Sequence, residues 1–191
     1  MGAGFGALHT RMPRARPSRL RPPGAGGEQH FLSACIRCGQ CVDACPHDSL
    51  QLASLSAGLE CGAPAVDSRL TPCELCPGEE DLLCIEACPT TALQPVEDLR
   101  DIRMGVAIID RDRCLAWQGT ACRSCWHICP FPNEAIRLDW RTRAEIVAEV
   151  CIGCGLCDRA CLTEPSSIEI IPRAAFAEGD LAHRGAGKVG F

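Results

Sequence analysis

The chain contains no tyrosine, and its aromatic complement is five Phe and three Trp in 191 residues. Large rings supply much of the buried area of an ordinary core, so a ring-rich core is excluded. No stretch approaches 18 uninterrupted apolar residues, which excludes a membrane-spanning helix. No nucleophile–base pair, phosphate-binding glycine loop or pair of catalytic carboxylates stands out, so the expectation is no enzymatic activity of its own. The formal net charge is −5 and the one basic cluster in the linear sequence is N-terminal, which gives nucleic-acid binding little support. What the chain has in excess is cysteine. The 47% hydrophobic share counts 17 of them, a density at which cross-links or metal sites replace apolar packing as the organising force.

Sixteen cysteines fall into four runs. Cys35, Cys38, Cys41 and Cys45 are spaced C-x2-C-x2-C-x3-C and followed by Pro46. Cys73, Cys76, Cys84 and Cys88 are spaced C-x2-C-x7-C-x3-C and followed by Pro89. Cys114, Cys122, Cys125 and Cys129 are spaced C-x7-C-x2-C-x3-C and followed by Pro130. Cys151, Cys154, Cys157 and Cys161 repeat the first spacing, followed by Leu162. Cys61 is left over as a spare thiol. Disulfides are a poor fit, because eight of them in such crowded runs would be strained. Zinc usually takes two separated C-x2-C pairs, so a zinc-filled structural scaffold suits the two expanded runs alone. The C-x2-C-x2-C-x3-C-P run is the ligand pattern of bacterial 4Fe–4S ferredoxins, in which the fourth Cys serves the other cluster of a pair. Four such runs predict four 4Fe–4S clusters per chain, held by the sixteen cysteines as iron ligands. Gly39, Gly153 and Gly155 inside the runs are expected to let backbone approach a cluster.

Period-two alternation predicts short strands at 49–52, 91–93, 135–140 and 167–170, with further strands at 104–109 and 145–150. Residues 135–150 read as a hairpin turning near Thr142 and Arg143. The fold class is therefore α+β and ferredoxin-like: two dicluster modules with short antiparallel strands and short helices, over residues 31–172. Residues 1–30, rich in Arg, Pro and Gly, are expected to be flexible, and so is the tail 173–191.

Two pairings of the runs are open. Neighbours can pair, or the runs can nest, first with fourth and second with third. Nesting matches the two compact outer runs and the two expanded inner ones, and is favoured; it predicts Cys35, Cys38 and Cys41 with Cys161, and Cys73, Cys76 and Cys84 with Cys129. His47 and His127 flank ligands and are expected in packing or solvent contact. Trp117 and Trp126 are expected to shield a cluster from water.

The stretch Arg21-Pro22-Pro23-Gly24-Ala25, then Phe31-Leu32 and Cys35-Ile36-Arg37-Cys38-Gly39-Gln40-Cys41-Val42, resembles the MauM/NapG group of ferredoxin-type proteins. So do Asp101-Ile102-Arg103-Met104-Gly105 and the third run with its seven-residue spacer. The resemblance spans residues 20–172. It implies four 4Fe–4S clusters and an electron-transfer role without a substrate site: relay from a membrane quinol-oxidising partner to a cytochrome, terminal reductase or dehydrogenase, in periplasmic nitrate reduction or methylamine utilisation. It implies the periplasmic side of the inner membrane. The family's usual twin-arginine signal is missing from the sequence as written, so cytoplasmic is the alternative expectation. A second functional reading is the iron–sulfur subunit of a molybdopterin oxidoreductase or hydrogenase complex.

Overall fold

The computed structural model describes residues 19–176. Its strands form three two-stranded antiparallel sheets. Strand β1 (Leu50–Leu52) pairs with β2 (Pro64–Val66), β3 (Gly105–Ile109) with β6 (Ile168–Pro172), and β4 (Ile136–Leu138) with β5 (Ala144–Ile146). The helices are α1 (Glu28–Ala34), α2 (Gln40–Asp43), α3 (Leu83–Glu86), α4 (Ser124–Ile128) and α5 (Leu156–Arg159). Four of the five are about one turn long, far below the length at which a helix holds itself in water. The cysteine runs supply them and packing keeps them. The result is a small α+β fold.

The longest pairing, β3 with β6, is rich in β-branched residues, and its register sets Ala107 opposite Ile170 and Ile109 opposite Ile168. Val106 is fully buried, and with Phe31, Ile102 and Ile136 it makes the thin apolar centre. The remaining fully buried positions include Pro22, Pro23, Pro72 and Ser49 rather than large apolar side chains. Buried cysteines fill the space between them.

Several expectations are corrected. Residues 91–93 form no strand; Leu93 makes one isolated bridge to Ala25. Strand β2 was not anticipated. The segment 147–150 is a turn, closed by Val150 N–H donating to the Val147 carbonyl. Thr142 does turn the β4–β5 hairpin, with φ at +65°.

Residues 19–30, expected to be flexible, are packed. Leu20 and Arg21 are buried, and Val66 N–H donates to the Leu20 carbonyl, so the lead segment lies along β2. The Arg21 guanidinium holds Glu28 and Glu60 and donates to the Pro64 carbonyl. At the other end Arg173 donates to the Ala148 carbonyl, so the fold runs past 172. Residues 1–18 and 177–191 of the two expected flexible ends lie outside the described residues.

Candidate metal centre

Each compact run has a left-handed residue on either side of its second cysteine. Arg37 and Gly39 take these positions in the first run, with φ of 58° and 82°, and Gly153 and Gly155 in the fourth, with φ of 76° and 92°. The second run places Leu75 likewise, at 61°. These kinks turn successive thiols to one side of the chain. The glycines do more than the sequence suggests. A Cβ at Gly153 would lie 2.3 Å from the Gly105 nitrogen, and one at Gly155 would lie 2.8 Å from the Ser68 Cα. It is protein backbone, from β3 and from the second-run approach, that comes close there. At Gly39 a Cβ would meet nothing within 4 Å.

The thiols gather in four groups of four. Burial pushes Cys41 up to about 11, and the neighbouring like charges of Cys35, Cys88 and Cys38 add to it. Burial takes Cys84 to about 12, reinforced by Cys73 and Cys76 and, further on, by Cys41 and Cys45. Cys125 is raised to about 12, by burial first and then by Cys114 and Cys122, with Cys161 also contributing. Cys154 is raised to about 12 by burial, with Cys151, Cys73 and Cys129 near it. Cys157 is raised too, by burial and then by Cys154, Cys151, Cys125 and Cys129. Group one is thus Cys35, Cys38, Cys41 and Cys88; group two Cys45, Cys73, Cys76 and Cys84. Group three is Cys114, Cys122, Cys125 and Cys161; group four Cys129, Cys151, Cys154 and Cys157.

This corrects the nested pairing. Cys161 sits with the third run, not the first, and Cys129 with the fourth, not the second. The reason is packing: α2 lies against α3, and α4 against α5, so each half of the chain joins one compact run to one expanded run.

The groups also have an order. Group one adjoins group two through Cys41 and Cys84. Group two adjoins group four through Cys73, whose N–H donates to the Cys154 carbonyl at 2.9 Å. Group four adjoins group three through Cys157 and Cys125. The sequence of centres is one, two, four, three.

The donor set suits an iron–sulfur cluster. Soft thiolates select Fe–S, Zn or Cu(I). A lone zinc needs its thiolates about 2.3 Å from one centre, whereas a four-iron core spreads them over four corners. Thiols crowded this way cannot all ionise without a cationic core between them. Two small cavities are lined by groups four and two respectively; both halves carry the same feature. Hydrogen-bond donors reach the sulfurs, as they do around clusters. Ala107 N–H donates to Cys151 Sγ and Ser49 N–H to Cys45 Sγ, both at 3.4 Å. The hydroxyls of Thr163 and Ser167 each lie 3.2 Å from Cys161 Sγ. Burial alone would raise Cys161, but those hydroxyls and the Thr163 and Ser167 N–H groups outweigh it and bring the thiol to about 7.

The other sequence-chosen residues stand apart from the thiols or beside them. Cys61 caps the 3-10 helix Leu55–Glu60 and joins no group. His47 borders the group-two cavity while exposed to solvent. His127 stands edge-on to Trp126 with ring centroids 5.0 Å apart, and Trp126 Nε1 donates to Asn133 Oδ1. Trp117 Nε1 donates to the Ala144 carbonyl at 3.2 Å, tying the third-run spacer to β5.

The latch between the halves was missed. Ser68 donates to Asp158 at 2.7 Å. Arg69 donates to the Asp158 and Cys161 carbonyls and pairs with Glu164, and Arg159 pairs with Glu74. One signal was available: Asp158 follows Cys157 where the first run has Val42 after Cys41, a buried carboxylate in place of an apolar side chain.

Comparison with known proteins now bears on the site. Two models described as 4Fe-4S binding domain match residues 29–51 and 148–164, the two compact runs. Ferredoxin-type protein NapG of Escherichia coli is 41% identical over 188 residues, covering 92% of this chain and 80% of that protein. The chain belongs to the NapG/MauM family of ferredoxin-type proteins. The methylamine utilization ferredoxin-type protein MauM of Methylophilus methylotrophus is 40% identical over 98% of this chain and 83% of its own length. Its counterpart in Methylobacillus flagellatus is 39% identical over 91% and 77%. As a NapG/MauM protein the chain is an iron–sulfur electron carrier, not an enzyme.

Proposed function

We propose that each thiol group holds one 4Fe–4S cluster, making two dicluster modules over residues 31–172 and four clusters per chain. The sixteen run cysteines are the ligands. The observation that carries this is the ordered line of groups one, two, four and three, with no break at the junction between halves. When bound, each cluster takes up and releases a single electron. The chain's own work is to hold sixteen thiolates in place, to direct N–H and O–H donors at them, and to keep β3, β6 and the α5 latch rigid, so that neighbouring centres stay close.

The proposed role is relay of electrons from a membrane quinol-oxidising partner to a respiratory or methylamine-type redox system, at the periplasmic face of the inner membrane. Among the described residues no helix is long and apolar enough to cross a membrane, which fits a chain that receives its electrons from another subunit.

Protein purified without oxygen is expected to contain about sixteen iron and sixteen labile sulfide per chain, and Cys122→Ala is expected to lose about four of each. Zinc in place of iron overturns the reading. Iron undiminished in Cys122→Ala removes Cys122 from the ligand set. Co-purification with a molybdopterin enzyme or hydrogenase core, rather than a quinol-oxidising partner, would assign the chain to that complex instead.

A further inference from the structure

Charge is spread unevenly over the chain. Residues 30–101 carry twelve acidic side chains against three arginines, whereas residues 102–176 carry nine of each. Within the second half the arginines concentrate: between 111 and 143 there are six, against three acidic residues. The linear sequence shows no basic cluster there, because these arginines are dispersed. The fold collects several of them around two tryptophans. Arg111 and Arg143 both stack on the Trp117 ring, with guanidinium carbons 4.0 and 4.4 Å from its centroid. Arg141 lies 4.3 Å over Trp140, which is 81% exposed.

Packing within the chain explains only part of this. Trp117 is anchored through its indole N–H to Ala144, and Arg143 is paired with Asp139 at 2.6 Å. Trp140 is left largely in solvent. Among the described residues, Arg111 and Arg141 make no ion pair, although the protein as a whole has more carboxylates than cations. A guanidinium stacked on a ring keeps its N–H edge free and pre-oriented for a carboxylate. Trp and Arg are the residues that most often dominate binding energy in protein interfaces.

The position matters as much as the chemistry. Trp117 lies in the turn that follows Cys114, where Gln118 N–H donates to the Cys114 carbonyl. The face therefore adjoins the group-three run at Cys114, one end of the line of groups. The acidic half holds the other end.

We propose that the surface formed by Arg111, Trp117, Trp140, Arg141 and Arg143 is the docking face for a redox protein partner whose own redox centre is bordered by carboxylates, and that electrons cross between the two proteins through the group-three cluster. This rests on the four-cluster reading above. Because residues 30–101 carry an excess of carboxylates, such a partner is repelled from that half and oriented here, a device that governs encounter rate and register more than raw affinity.

The test uses the iron-loaded protein, reduced with dithionite and mixed with two acceptors in stopped flow. Cytochrome b5 presents an acidic haem edge, and cytochrome c a lysine-ringed one. The expected result is that cytochrome b5 reduction slows with added salt. R111E/R141E should slow it about tenfold and flatten the salt dependence, without slowing reduction of cytochrome c. Trp140→Ala should slow it less, and E79K/E80K in the acidic half should not slow it. The milder R111Q/R141Q covers the case in which charge reversal disturbs folding, with iron content as the check on each variant. An unchanged cytochrome b5 rate in iron-replete R111E/R141E and R111Q/R141Q overturns the proposal. So does binding to phosphatidylglycerol vesicles that R111E/R141E abolishes while cytochrome b5 reduction is untouched; the face would then be a lipid site. Failure of the four-cluster reading shows separately, as missing iron or no bleaching by dithionite.

Discussion

The first and fourth cysteine runs share one spacing and sit in opposite surroundings. In the first, Cys38 is exposed, Gly39 has open space beside it, and the left-handed position before Cys38 is filled by Arg37. In the fourth, Cys151, Cys154 and Cys157 are all buried, and the equivalent position is Gly153, pressed against the Gly105 backbone. The run requires a left-handed bend at that position in both cases; an arginine adopts it where the site faces solvent. Glycine is needed only where a second chain segment occupies the space a Cβ would take. Ligand spacing therefore specifies local chemistry, while the residues between the ligands report where in the molecule the centre lies.

Substitution at the glycines breaks this contrast most directly. Gly153→Ala forces a Cβ into backbone at 2.3 to 2.5 Å and is expected to cost more than about 4 kcal/mol, with loss of iron from the fourth-run centre. Gly39→Ala meets no neighbour and carries only the left-handed penalty, about 1–2 kcal/mol. Iron analysis and thermal unfolding of the loaded proteins, run side by side, check the pair. Equal iron and equal melting temperature in the two variants would mean that the fourth run is no more tightly enclosed than the first.

A second contrast concerns how the halves are held. The acidic half is bound to the lead segment through Arg21, which is 5% exposed and pairs with Glu28 and Glu60 together. The latch between the halves uses Arg69, whose partner Glu164 is largely exposed. Removing this buried cation leaves Glu28 without its partner and Glu60 with Arg19 alone, so Arg21→Ala is expected to destabilise the loaded protein by about 3 kcal/mol or more. Arg69→Ala should cost about 1 kcal/mol or less from its exposed pair, beyond its lost carbonyl contacts. Denaturant unfolding followed by cluster absorbance measures both, and a larger loss for Arg69 would reverse the assignment of which joint carries the load.

The grouping of thiols within each compact run was legible because its geometry is local: three cysteines with two residues between them come to one side of the chain whatever surrounds them. The partner of each remote cysteine was not. Matching compact run with compact run ignores that α2 reaches α3 and α4 reaches α5, a matter of which one-turn helices pack. Strand β3 was legible from Val106 to Ile109. Strand β2 was not, since Pro64-Ala65-Val66 is three residues long and opens on a proline, which belongs at an edge. Thr91-Ala92-Leu93 has strand-like alternation, yet Thr91 and Ala92 form a turn and Leu93 bridges Ala25 alone. The Arg21 network and the arginine–tryptophan face join residues up to 43 positions apart, as in Arg21 with Pro64 and Arg143 with Trp117, beyond any window of periodicity.

The finest contrast lies between the remote cysteines of groups one and three. Cys161 Sγ has the Ser167 and Thr163 hydroxyls at 3.2 Å, whereas Cys88 Sγ has the Thr90 hydroxyl at 3.7 Å. Once the cysteine is a thiolate it has no proton to give, so these hydroxyls act as donors. Thr163 Oγ1 already accepts from Ser167 N–H at 2.8 Å, which leaves its own proton for the sulfur. Donors favour the more negative, reduced state and so raise the potential of their centre. A hydrogen bond worth about 1 kcal/mol corresponds to roughly 40 mV for one electron. Ser167→Ala is therefore expected to lower the group-three potential by roughly 40 mV, Ser167→Thr to restore it, and Thr90→Val to move group one by less. Potentiometric titration followed by electron paramagnetic resonance resolves the shifts. A Ser167→Ala shift that is absent, upward, or confined to another centre would show that these hydroxyls serve packing rather than tuning.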